Sequence, residues 1–147
     1  MCDQVIVMMK KNQILTQEVR LVEMPTFTDP RGDLTFIEGE QHVPFPIRRV
    51  YYLYNVPADV ERAGHAHKNL EQVLIVMSGS LDICLDDGFN KKKITLDKPN
   101  QGLYLPCMIW RDINNFSEGT VLTVIASDFY DENDYYRSYD EFLKNIK

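Results

Sequence analysis

No stretch of this chain approaches the ~18 consecutive apolar residues that a membrane-crossing helix needs, so no membrane span is expected. Cysteine is scarce: Cys2, Cys84 and Cys107 are odd in number, lie far apart and form no C-x-x-C pair. That pattern gives no disulfide framework, and cytosolic thiols are the simplest reading. Positive charge is in deficit, with 16 basic against 22 acidic side chains and a net charge of −6. A protein that coats DNA or RNA relies on a basic face, so nucleic acid is not an expected partner. A small anion is not excluded, because two or three arginines in a pocket can hold a diphosphate on an acidic protein. Lys10 and Lys11 have no apolar run behind them, so no signal peptide is expected and a cytoplasmic location is. Repeats, low-complexity tracts and Gly/Ser linkers are missing too.

What remains is a chain of 147 residues, 44% hydrophobic, which is the composition of a globular protein. One domain over 1–147 is expected, burying roughly 70% of the surface its unfolded form exposes. β-Branched residues and tyrosines favour strands. Strand-like segments fall at 14–24, 34–37, 48–56, 72–77, 80–85, 91–96, 102–106, 108–113 and 120–126. Prolines and the pairs Asp87-Gly88 and Pro99-Asn100 separate them. Many short strands with turns at regular spacing predict an all-β sandwich or barrel. Only the end reads as helix, with Asp140 and Glu141 at its start and lysines at its close, as the helix dipole prefers.

Chemistry concentrates in Arg62-Ala63-Gly64-His65-Ala66-His67-Lys68-Asn69-Leu70-Glu71. On an extended strand His65 and His67 share one face. The spacing of His65, His67 and Glu71 is similar to the first half of a cupin metal site. The later histidine that this resemblance implies falls on Arg111, a fixed cation with no lone pair, so no metal is expected. Without a metal the two imidazoles become acid–base candidates, with Glu71 or another acid to orient one of them. Arg31, Arg49, Arg62 and Arg111 are candidate phosphate or carboxylate clamps. Period two puts Arg49, Tyr51, Leu53 and Asn55 on one face of their strand and Val50, Tyr52 and Tyr54 on the other, without deciding which lines a cavity.

Several unlike motifs stand in order: Asp29-Pro30-Arg31-Gly32-Asp33-Leu34, Arg49-Val50-Tyr51-Tyr52, Gly64-His65-Ala66-His67, Leu70-Glu71-Gln72, Met108-Ile109-Trp110-Arg111 and Ser127-Asp128-Phe129-Tyr130-Asp131. Together, over about residues 14–143, the chain resembles the dTDP-sugar 3,4-ketoisomerase family of the cupin superfamily. The resemblance implies a cupin-type small β-barrel or jelly roll with a short C-terminal helix. It also implies a homodimer without cofactor or metal that moves the ketone of dTDP-4-dehydro-6-deoxy-D-glucose from C4 to C3. It places catalysis on His65, His67 and Tyr51, and substrate binding on Arg31, Arg49, Arg62, Glu71 and Arg111. Which histidine is the base stays open, with His65 favoured and His67 as proton shuttle or support. The alternatives are a dTDP-4-dehydro-sugar 3,5-epimerase, a non-catalytic sugar-nucleotide-binding cupin, and a metal-dependent dioxygenase, which Arg111 opposes.

Overall fold

The structure, a computed structural model, describes residues 18–146. The apolar segment 5–9 and the start of the strand-like segment 14–24 lie outside the described residues. Turn residues cut the rest into twelve short strands. They are β1 (Arg20–Glu23), β2 (Thr26–Asp29), β3 (Gly32–Thr35), β4 (Arg49–Leu53), β5 (Arg62–His67), β6 (Gln72–Ser78), β7 (Leu81–Asp86), β8 (Lys91–Leu96), β9 (Gln101–Leu105), β10 (Trp110–Asn114), β11 (Val121–Ala126) and β12 (Tyr135–Tyr136). A 3-10 turn (Glu132–Asp134) precedes β12, and one helix, α1 (Tyr139–Lys144), follows it.

The expected all-β, cupin-like character stands, but the expected barrel does not. The strands form two open five-stranded sheets, β1-β9-β6-β11-β4 and β12-β5-β10-β7-β8, and a separate β2-β3 hairpin. Among the described residues, β1 of the first sheet pairs only with β9 and β4 only with β11, and no hydrogen-bonded ladder joins the two large sheets. They are held face to face by side chains, with Leu74, Val76, Leu81, Ile83, Leu103, Ile113 and Val124 in one shared core.

β6 shows why its sequence is a continuous apolar run rather than an alternation. Leu74 and Val76 enter the core between the sheets, while Val73 and Ile75 pack behind the sheet against Val43 and Phe45. The proline-punctuated segment before β4 thus covers the outer face. By the same period, Gln72 points inward with Leu74. On β4 the half-buried side chains are Arg49, Tyr51 and Leu53, and Val50 and Tyr52 are exposed. That settles which face looks into the molecule.

α1 has Ser138 as its N-cap, accepting from the Glu141 N–H, with Asp140 and Glu141 in the first turn and Lys144 in the last. Phe142 fixes the helix in a third cluster with Ala66, Trp110 and Tyr136. Against the expectation of free thiols, Cys107 is buried and disulfide-bonded, whereas Cys84 is a half-buried free thiol.

Gly79 turns the chain from β6 to β7 at φ +79°, where a side chain is strained. A Cβ there would lie 2.4 Å from Thr120 Oγ1 and 2.9 Å from Thr120 Cα. We expect Gly79→Ala to cost about 1–3 kcal/mol of stability in urea unfolding. An unchanged midpoint would show that the turn adjusts freely.

Candidate active site

The site begins with a β-bulge. Ala63 and Gly64 both have φ of 69°. Arg111 pairs with His65 while Asp112 pairs with Ala63, so one residue of β5 is extra. Such bulges re-aim the following side chain. Here they bring His65 onto the inner face beside Arg111 of β10. Beyond the bulge the strand alternates, so Ala66 enters the third core and His67 returns to the side of His65, with ring centroids 4.9 Å apart.

A cavity of about 420 Å³ lies between the sheets. The first sheet gives it Arg49, Tyr51 and Gln72, and the second gives Arg62, His65 and Arg111. Tyr130, Tyr135 and Arg137, from the segment after β11, close one side. A second hollow of about 270 Å³ adjoins it and is bordered by His67, Glu71 and Asp134. Arg49 and Tyr135 border both.

The two imidazoles therefore have different surroundings. His65 lines the cavity. His67 has no exposed surface, and its Nδ1 lies 3.0 Å from Asp134 Oδ2. The other oxygen of Asp134 accepts from the Asn69 N–H at 2.8 Å, so the carboxylate is held at both ends. Burial would raise the Asp134 carboxyl, but the hydrogen bonds from His67 and Asn69 outweigh it and hold it below its usual range. The ionised carboxylate accepts a hydrogen bond from Nδ1–H, so in the neutral ring Nε2 carries the lone pair. Nε2 is buried without a partner.

Both rings are neutral at pH 7. Burial, then the Arg111 charge, then His67 lower His65 to about 3. Burial lowers His67 to about 4, with Arg111 adding to it and the Asp134 hydrogen bond opposing. Arg111 is 2% exposed, and burial lowers it to about 10, so it stays charged. Its Nη1 donates to Gln72 Oε1 at 2.9 Å, a bond that crosses from one sheet to the other. Its Nε and Nη2, and Nε of Arg49, are buried without partners. Three unsatisfied guanidinium nitrogens at one cavity are the mark of a site that takes an oxygen-rich ligand. Gln72 Nε2 in turn donates to Tyr51 Oη at 3.0 Å. Burial raises the Tyr51 phenol above its usual range, with Arg111 pulling the other way, so it is protonated at neutral pH.

Not every candidate reaches the cavity. Arg62 stands exposed at its mouth. The Arg31 side chain is 90% exposed at the β2–β3 turn, paired with Asp29 at 2.6 Å, and borders neither hollow. Glu71 faces the second hollow and accepts from the Tyr104 hydroxyl at 2.5 Å, not from an imidazole. The orienting acid is Asp134, at 3.0 Å from His67 Nδ1, and not Glu71. Gln72, Tyr135 and Arg137 were also unmarked as site residues; the dense acid and tyrosine run after β11 was the available signal. A cupin metal centre does not fit this donor set, because Glu71 is engaged elsewhere and a guanidinium stands by His65. Among the described residues no three His, Cys, Asp or Glu side chains gather in metal-holding geometry.

The sequence profile of FdtA, described as WxcM-like, C-terminal, matches residues 17–147. The chain belongs to this family. It is 44% identical over 129 residues to the TDP-4-oxo-6-deoxy-alpha-D-glucose-3,4-oxoisomerase of Aneurinibacillus thermoaerophilus, covering 88% of this chain and 93% of that protein. It is similar to the crystal structure of a 3,4-ketoisomerase from Helicobacter canadensis, with TM-score 0.86 and 47% identity over 88% of this chain and 97% of the other. It is similar also to QdtA, a sugar 3,4-ketoisomerase from Thermoanaerobacterium thermosaccharolyticum in complex with TDP. There the TM-score is 0.88 and the identity 42%, over 90% of this chain and 96% of the other.

In this FdtA-family chain the neutral imidazoles tie stability to pH. Unfolded histidine titrates near 6.5, well above the folded values of about 3 and about 4. The unfolded state thus binds more protons below pH 6.5, and stability falls as pH drops from there towards 4. We expect urea unfolding to lose about 1–2 kcal/mol per imidazole between about pH 7.5 and pH 5, and His65→Asn to remove its share. A pH-independent midpoint over that range would mean the rings are not buried neutral.

Proposed function

We propose that this chain is a sugar-nucleotide isomerase that converts dTDP-4-dehydro-6-deoxy-D-glucose into a dTDP-3-dehydro-6-deoxyhexose. The observation that carries the reading is a neutral imidazole, His65, in one cavity with a phenol and unsatisfied guanidinium nitrogens. Ketone migration needs that set: a base for a carbon acid and fixed donors where negative charge develops.

The C3 hydrogen of a 4-ketone is acidic because its carbanion is an enolate. His65 takes this proton, and the electron pair moves onto the C4 oxygen. The free imidazole is held neutral by burial, but the imidazolium forms beside the new oxyanion, and that opposite charge offsets the burial cost. Tyr51 and Arg111 donate to the oxyanion. The C3 hydroxyl proton is lost and the C4 oxygen gains one, which passes through a shared enediol. Return of a proton to C4 leaves the ketone at C3, and no atom is gained or lost. His67, oriented by Asp134, supports His65 from behind. Arg49 and Arg62 suit the diphosphate, whose remote binding positions the sugar. Arg31 and Glu71 have no substrate contact in this reading, since neither side chain borders the cavity.

The same reading takes residues 1–147 as one cytoplasmic domain that works as a homodimer without a metal. Support for pairing is the outer face of edge strand β4, where Val50 and Tyr52, with Tyr54 just beyond the strand, are exposed large apolar side chains. Among the described residues no helix is long and apolar enough to cross a membrane.

Incubation with the 4-keto sugar nucleotide in heavy water, followed by nuclear magnetic resonance, should show product with the ketone at C3 and deuterium at C4, and deuterium at C3 only in recovered substrate. Deuterium at C5 would instead mark an epimerase. His65→Asn should lower kcat by roughly 100-fold or more while dTDP still binds. Full activity in that variant would remove His65 as the base. A strong chelator should leave the rate unchanged, and a reversible loss would restore the metal alternative.

A further inference from the structure

Gln72 is 2% exposed, and no charge or catalytic group of its own recommends it. Its place in the hydrogen-bond order does. An arginine side chain can only donate hydrogen bonds. Arg111 Nη1 donates to the Gln72 side chain at 2.9 Å, so the atom facing Arg111 must be the amide oxygen. The amide is rigid and planar, and its NH2 group must then face the other way. There it meets Tyr51 Oη at 3.0 Å. An amide NH2 can only donate, so the phenol oxygen must accept. Its own hydrogen cannot point back at Gln72 and is left for the cavity that Tyr51 lines.

We infer that Gln72 is a positioning residue that converts the fixed charge of Arg111 into a fixed direction for the Tyr51 hydroxyl, presenting its proton to the substrate oxygen. The inference rests on the isomerase reading for its catalytic consequence, but not for the hydrogen-bond direction itself. Three features make the direction rigid. Arg111 stays protonated. Gln72 lies in the central strand β6, between β9 and β11, where the backbone is paired on both sides. Tyr51 comes from β4, and its ring is braced by the Arg49 guanidinium, 5.3 Å from the ring centroid. The two sheets are thus coupled by a chain that has one orientation only. A freely rotating phenol would have to be reoriented at each turnover, whereas here the donor is set before substrate arrives.

The decisive substitution is Gln72→Glu, which preserves shape and leaves Arg111 paired. A carboxylate only accepts, so its second oxygen would draw the Tyr51 hydrogen towards itself and away from the cavity. We expect Gln72→Glu to fold with a melting temperature near that of the wild type and to lose roughly tenfold to 100-fold in kcat, with KM changed less than about threefold. Tyr51→Phe should lose a similar factor, and Gln72→Glu added to Tyr51→Phe should cost less than about twofold more. Full kcat in Gln72→Glu, or losses that multiply in the double variant, would overturn the inference. A separate readout needs no turnover. The side-chain amide protons of Gln72, followed by nitrogen-15 resonance, should move on Tyr51→Phe because their acceptor is gone. If they do not move, the bond runs in the other direction and the inference fails. If they move while the wild type leaves the ketone at C4, the isomerase reading fails and the bond direction stands.

Discussion

The hydrogen bond from Arg111 to Gln72 joins the two sheets at the floor of the cavity, and much of the site follows from the charge at its donor end. A buried guanidinium is costly to desolvate and cannot discard its proton within the ordinary pH range. The surrounding groups therefore have to adapt to it. The imidazoles beside it stay neutral, chiefly because they are buried and further because a second positive charge would be repelled by Arg111. The phenol near it is drawn back towards ionisation but remains protonated. Two of its nitrogens have no hydrogen-bond partner within the protein.

That arrangement explains how a cupin-like scaffold can carry acid–base chemistry on a framework that resembles a metal site. The strands still bring two histidines to one face, but the later position that would complete a ligand set holds a cation. The charge a metal would contribute is present permanently, on a side chain that can donate hydrogen bonds to a developing oxyanion. His67 and Asp134 form a second layer. Asp134 is held by the Asn69 backbone and fixes which nitrogen of His67 carries the proton. Two side chains of the site are thus oriented through a neighbour, His67 by Asp134 and Tyr51 by Gln72.

Much of the fold could be read from local pattern. Strand β4, the strands from β6 to β11, the Asp87-Gly88 turn and the capped final helix follow from period, turn chemistry and end charges, whereas β5 and β12 do not. The closure of the sheets could not be read that way. A barrel and a sandwich have the same alternation along each strand and differ only in whether edge strands pair. The cavity face of β4 was equally ambiguous, because Arg49-Tyr51-Leu53 and Val50-Tyr52-Tyr54 are both plausible inner faces. The choice was made by the segment 36–47, which covers the outer side of β6 and so defines the inside.

Sequence by itself determined the chemistry on offer: two histidines on one strand face, an arginine where a ligand would stand, and several arginines and tyrosines near turns. Those are properties of residue type and short-range spacing, which the extended backbone carries directly. Tertiary structure decided which of them meet. It left Arg31 exposed at the β2–β3 turn and turned Glu71 towards Tyr104. It also delivered Asp134 to His67 across 67 positions and set Gln72 between Arg111 and Tyr51. Contacts of that kind depend on how sheets stack and where a distant segment returns, and no local periodicity encodes them.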